Sequence, residues 1–129
     1  MMEDTELLKA TIAVALADGQ LLRSELGVIK ALAQRAGVGE TSLKAMIEAA
    51  EQDESFADDI VIPSREKAQM AVKLLVAEAR IDREISEEER RVITRIATSL
   101  GITGNEFEQL YLAGIEQADR TRRSRQAQE

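Results

Sequence analysis

Apolar residues recur at three- and four-residue spacings along nearly the whole chain, the period of a helix with one buried face. Leu8, Ile12, Ala15 and Leu16 form a first stripe. Val28, Ile29, Leu32, Ala33 and Ala36 form a second, and Leu43, Met46, Ile47 and Ala50 a third. After a break come Ala68, Val72, Leu75, Val76 and Ala79, then Val92, Ile93, Ile96, Ala97 and Leu100. Phe107, Leu110, Tyr111 and Ile115 close the series. The pattern predicts an all-α bundle of about six amphipathic helices, each burying one stripe and turning its charges to water.

The polar residues between the stripes punctuate them. Ser86-Glu87-Glu88-Glu89 and Thr103-Gly104-Asn105-Glu106 both read as capping boxes, in which a hydroxyl and a carboxylate satisfy the first free amides of a helix. Gly37 and Gly101 stand where a helix should end in the left-handed conformation. Ser64, after Pro63, is an N-cap for the fourth helix. Gly27 falls inside the second helix at a cost of about 1 kcal/mol relative to Ala, which close helix packing would offset. Residues 51–63 form the long connection. Phe56 and Ile60-Val61-Ile62 should dock on the core with about one helical turn, and Asp53, Asp58 and Asp59 read as a solvated acidic loop.

A shift of 64 residues lays the chain on itself. Lys9 meets Lys73, Ala13 meets Ala77 and Ala15 meets Ala79. Asp18 meets Asp82, Glu25 meets Glu89, Ile29 meets Ile93, Ala33 meets Ala97 and Gly37 meets Gly101. Each half reads helix, acidic loop, helix, glycine turn, helix. The expectation is one domain over residues 1–117, made of two pseudo-symmetric three-helix repeats. These cover about 5–50 and 64–116, with a linker at 51–63 and an Arg-rich polar tail at 118–129.

Composition narrows the chemistry. The 129 residues contain no Cys, no His and no Trp. Disulfides, thiolate zinc sites, thiol nucleophiles and the usual general base are therefore excluded, and an enzyme is not expected. Any metal must be a hard cation held by oxygen. The net charge is −7. Four of the 17 basic residues but only two of the 24 acidic ones fall in 118–129, so residues 1–117 carry −9. An acidic body without aromatic residues among its arginines argues against nucleic acid. The acidic start is not a signal peptide, and no apolar run approaches a membrane span of roughly 20 residues, so a cytoplasmic protein without membrane insertion is expected.

Most matched pairs are apolar or small and are explained by packing. Asp18/Asp82 and Glu25/Glu89 are acidic, and they lie at a loop and at the start of the next helix. Asp18-Gly19-Gln20-Leu21-Leu22-Arg23-Ser24-Glu25 resembles the second part of a calcium-binding EF-hand loop, but Val14 and Leu16 occupy the leading ligand positions. In the second half Glu78 stands at the leading position and Arg83 replaces the glycine. Two readings follow. Asp18 bonds amides in its turn and Glu25 and Glu89 reach back as capping partners. Alternatively, Asp18, Glu25, Asp82 and Glu89 come together across the pseudo-dyad and hold a divalent cation, calcium first, or present a negative patch to a basic partner.

The segment Ala13-Val14-Ala15-Leu16-Ala17-Asp18-Gly19, followed by Glu25, Ile29, Leu32, Ala33 and Gly37, resembles the signature of the TerB-like family, tellurite-resistance-type helical domains that also occur as the N-terminal domain of DjlA-type co-chaperones. The second half carries the pattern with Ile81-Asp82-Arg83 in place of Ala-Asp-Gly, and the resemblance covers roughly residues 5–116. It implies a two-repeat helical bundle, a role in bacterial stress response and metal binding through acidic residues, here Asp18, Glu25, Asp82 and Glu89. The alternative is a metal-free module that recruits a protein partner through a helical groove or its acidic surface. Homodimerisation through exposed helix faces also stays open.

Overall fold

The computed structural model describes residues 2–17, 21, 23–53, 55–80 and 84–128. Among them the chain is all-α: α1 (Met2–Ala15), α2 (Arg23–Ala36), α3 (Glu40–Gln52), α4 (Arg65–Arg80), α5 (Glu87–Ser99) and α6 (Gly104–Gln128). A 3-10 turn at Phe56–Asp59 supplies the helical turn expected in the linker. α2 and α5 begin 64 residues apart, as do α3 and α6, the same spacing at which the sequence matches itself.

The helix ends follow from the residues there. Ser86 and Glu89 form the full capping box of α5. The Glu89 amide donates to Ser86 Oγ at 3.1 Å, and the Ser86 amide donates to Glu89 Oε1 at 2.9 Å. Ser64 Oγ accepts from the Lys67 amide at 3.3 Å and caps α4. Gly37 and Gly101 have φ of 75° and 81°, which only glycine adopts without strain. Each donates its amide back to the turn, Gly37 to the Gln34 carbonyl and Gly101 to the Thr98 carbonyl. The next amide reaches one residue further, Val38 to Ala33 and Ile102 to Ala97. Both helices thus end in the same six-to-one cap. The second expected box behaves differently, since Glu106 turns its carboxylate to Arg65 and Gln69 on α4.

One stripe per helix fails for α1. Leu8, Ile12 and Ala15 pack with Ile29, Leu32, Ala33 and Leu43 of α2 and α3. Ala10 and Val14, on another side of the same helix, pack with Val72, Leu75 and Val76 of α4 and with Ile93, Ile96 and Ala97 of α5. The expected stripe therefore covers only one of the two sides that α1 buries. The linker joins the same two cores. Phe56 packs on the first, while Ala57, Ile60 and Ile62 are buried in the second. Val61 points outward, and its amide donates to Glu6 Oε2 at 2.9 Å. Two members of the expected acidic loop are engaged. Asp53 accepts from the hydroxyl and amide of Ser55, which holds its carboxyl below the usual range. Asp58 takes both its hydrogen bonds from Arg95, at 2.8 and 2.9 Å.

α6 runs alongside α4 in the same direction. Glu106 lies opposite Arg65, Gly114 opposite Lys73 and Val76, and Asp119 opposite Arg80. It continues well past the boundary expected at residue 117. The first residues of the supposed polar tail are built into the bundle, with Ala118 buried and Asp119 paired to Arg80 at 3.4 Å.

Close helix packing falls at a glycine other than the expected one. Gly27 is exposed and a Cβ there meets nothing within 4 Å. At Gly114 a Cβ would sit 2.7 Å from the Lys73 carbonyl oxygen and 2.7 Å from Val76 Cβ, so α4 and α6 approach through the missing side chain. Gly27→Ala should therefore stabilise the protein by about 0.5–1 kcal/mol. Gly114→Ala should cost roughly 1–3 kcal/mol, because a backbone carbonyl must move. Urea denaturation of the two variants beside the parent checks both signs.

Candidate functional site

α1 and α4 lie side by side and run in the same direction, and their seam is the floor of a furrow. Thr11 of α1 faces Glu78 of α4, with Oγ1 3.4 Å from Glu78 Oε2 and 2.9 Å from the Leu7 carbonyl oxygen of its own helix. α2 and α6 form the walls. Two clefts open along the furrow, of about 380 and 470 Å³. Leu74 and Gln117 line both, so the clefts adjoin.

The 380 Å³ cleft is lined mainly by Val14, Ala15, Val28, Leu74, Ala77 and Ala118. Among the described residues its charged groups are Glu25 from α2 and Glu78 from α4. Burial among these side chains pushes the Glu78 carboxyl up to about 7, offset in part by the hydrogen bond with Thr11. Desolvation disfavours the charged form, so Glu78 changes charge near neutral pH. The 470 Å³ cleft has a floor of Leu7, Ile62, Met70, Ala71 and Leu74, and its cations are Arg35, Lys67 and Lys73. Met70 is 64% exposed, a large apolar side chain left in water at the cleft. Arg35 reaches Asp4 at 3.5 Å across the α1–α2 end of this cleft.

The four sequence-predicted residues are not gathered in one place among the described residues. Glu25 is the third residue of α2, half-buried on the cleft wall. Glu89 is the third residue of α5, 1% exposed, and its carboxylate serves the capping box. Asp18 and Asp82 lie outside the described residues. Among the described residues no three acidic side chains converge as a metal cage would. No described helix is long and apolar enough to cross a membrane.

Glu78 is the residue the sequence underweighted. It appears there only as the leading position of an acidic loop, within the stripe of α4. The signal was its match at the 64-residue shift, Val14, an apolar residue that lines the same cleft. No protein-family model matches the chain, and no characterised protein or solved structure matches it either.

Glu78 makes a stability prediction. Its folded pKa lies above the ordinary 4.5, so between pH 4.5 and about 7 the unfolded chain ionises while the folded protein keeps the proton. This group's contribution is therefore intact at low pH and is lost as pH rises through that window, by roughly 3 kcal/mol in total. Glu78→Gln should remove the loss. The variant should gain stability over the parent in denaturation at pH 8 and show little difference at pH 4.5.

Proposed function

We propose that this chain is a non-enzymatic, TerB-like domain that serves a bacterial stress response of the tellurite-resistance type, in the cytoplasm, by recruiting a protein partner. The observation that carries this reading is the furrow itself: two adjoining clefts with apolar floors along the α1–α4 seam, with Met70 exposed beside them. An open apolar floor with charged edges suits binding of a macromolecular surface. The family part of the reading rests on the residue pattern of the two halves. The absence of His and Cys supports binding over transformation, because no thiol is present to reduce or trap an oxyanion. Capture from a bacterial lysate tests it. The parent should retain a partner that Met70→Glu, altered only at an exposed side chain, does not. An empty capture by the folded parent overturns the reading.

A second reading keeps the divalent cation, calcium first, with Asp18, Glu25, Asp82 and Glu89 as its candidate ligands. One observation favours it: Glu25 and Glu78, from different halves of the chain, both line one cleft. Binding to the folded state raises its stability by mass action. Millimolar calcium, magnesium or manganese should then raise the Tm of the parent, and Glu25→Gln should remove most of that rise. A Tm indifferent to all three ions sinks this reading.

A further inference from the structure

Glu78 sits in the 380 Å³ cleft with too few donors for a carboxylate. Its polar contact among the described residues is Thr11 Oγ1, 3.4 Å from Oε2. That hydroxyl has one proton and a nearer acceptor, the Leu7 carbonyl oxygen at 2.9 Å. The nearer acceptor takes the larger share, so the hold on Glu78 is weak. An ionised carboxylate accepts up to about four hydrogen bonds, and burying it without them is costly. The Thr11 oxygen keeps its own lone pairs. Two acceptors from different helices therefore stand side by side at the seam of α1 and α4.

The surroundings select what can join them. Glu78 shares the cleft with Thr11 from α1, Glu25 from α2 and Gln117 and Thr121 from α6. Of these only Glu25 ionises, and it has a partner of its own. An anion would meet carboxylates on a protein of net charge −7. A wholly apolar ligand would bury Glu78 further and leave it short of donors. A primary ammonium brings a positive charge and three donors on one compact group. The half-buried Val28, Leu74 and Ala79 offer apolar contact to whatever that ammonium is attached to. A volume of 380 Å³ falls within the range of small-molecule sites, roughly 300–1,000 Å³.

We propose that this cleft binds a small primary amine with an apolar body, whose ammonium donates to the Glu78 carboxylate and to Thr11 Oγ1 and whose body lies on Val28, Leu74 and Ala79. The carboxylate confers selectivity for the cation, and the apolar walls supply affinity. Binding gives the buried charge the partner it lacks, so the ligand also stabilises the folded protein by mass action. The site stands apart from the partner-recruiting reading, whose probe Met70 lines the other cleft.

Isothermal titration calorimetry of hexylamine, 1-hexanol and hexanoate into the full chain at pH 8 tests the proposal. The amine, with a pKa of about 10, is protonated there. Hexylamine should bind roughly tenfold more tightly than hexanol, and hexanoate should give no binding heat. Glu78→Gln keeps the shape of the side chain and should remove the advantage of the amine while leaving hexanol as it was. Between pH 6 and pH 8 the affinity of the parent for hexylamine should rise roughly tenfold, because a carboxyl pushed up to about 7 must ionise to receive the ammonium. The Glu78→Gln variant should show no such slope. Met70→Glu should bind hexylamine as the parent does. Equal affinities for amine and alcohol, binding of neither, a flat pH dependence, or an amine preference that survives Glu78→Gln overturns the proposal. So does loss of binding in Met70→Glu, which would seat the ligand in the neighbouring cleft.

Discussion

The burial of α1 on two sides at once is the constraint on which the rest of the structure depends. Leu8 and Ile12 are fully buried toward α2 and α3, and Ala10 and Val14 are buried toward α4 and α5. Each large side chain of this kind contributes about 1.5–3 kcal/mol. The small Ala10 brings the second core close. What remains of the helix surface is narrow, and part of it, from Asp4 through Leu7 and Thr11, forms the furrow floor. One 14-residue helix therefore holds two cores together and also lines the furrow.

Several features written locally were readable from the chain, the Thr103–Glu106 box excepted. Ser86 with Glu89 and the two terminating glycines act within a few residues of themselves, and the structure realises each one. Features that depend on distant partners were not. The double burial of α1 needs both neighbours in place before any residue of the helix counts as facing inward. Gly27 and Gly114 look alike in sequence, and only the course of α4 past Gly114 separates a dispensable glycine from a required one. The extension of α6 was hidden by its arginines, which suggested a solvated tail. Buried Ala118 and the Arg80–Asp119 pair keep the start of that segment in the bundle.

Glu78 and Val14, 64 residues apart, differ in what they bring to the fold. At the corresponding position Val14 contributes only packing, whereas Glu78 brings an ionisable group into the same apolar cleft. Its burial lowers the stability of the folded protein at neutral pH. A cost of that kind is commonly found where a surface is kept for binding. The candidate site was half visible for this reason: Glu25 stood out by its match with Glu89 at the 64-residue shift, while Glu78 stood out only against Val14, the apolar residue at its own matched position. Glu89 meanwhile works for the helix that carries it.

The connection between the halves bears on how the protein comes apart. Phe56 is anchored in one core and Ile60 and Ile62 in the other, and between them Asp58 is tied to Arg95 on α5. Neither core can open without pulling on this clasp, and neither keeps its wall if α1 leaves. Halves that share a sequence pattern are thus mechanically a single cooperative unit. A break in either one would be transmitted to the other before the chain had time to melt piecemeal.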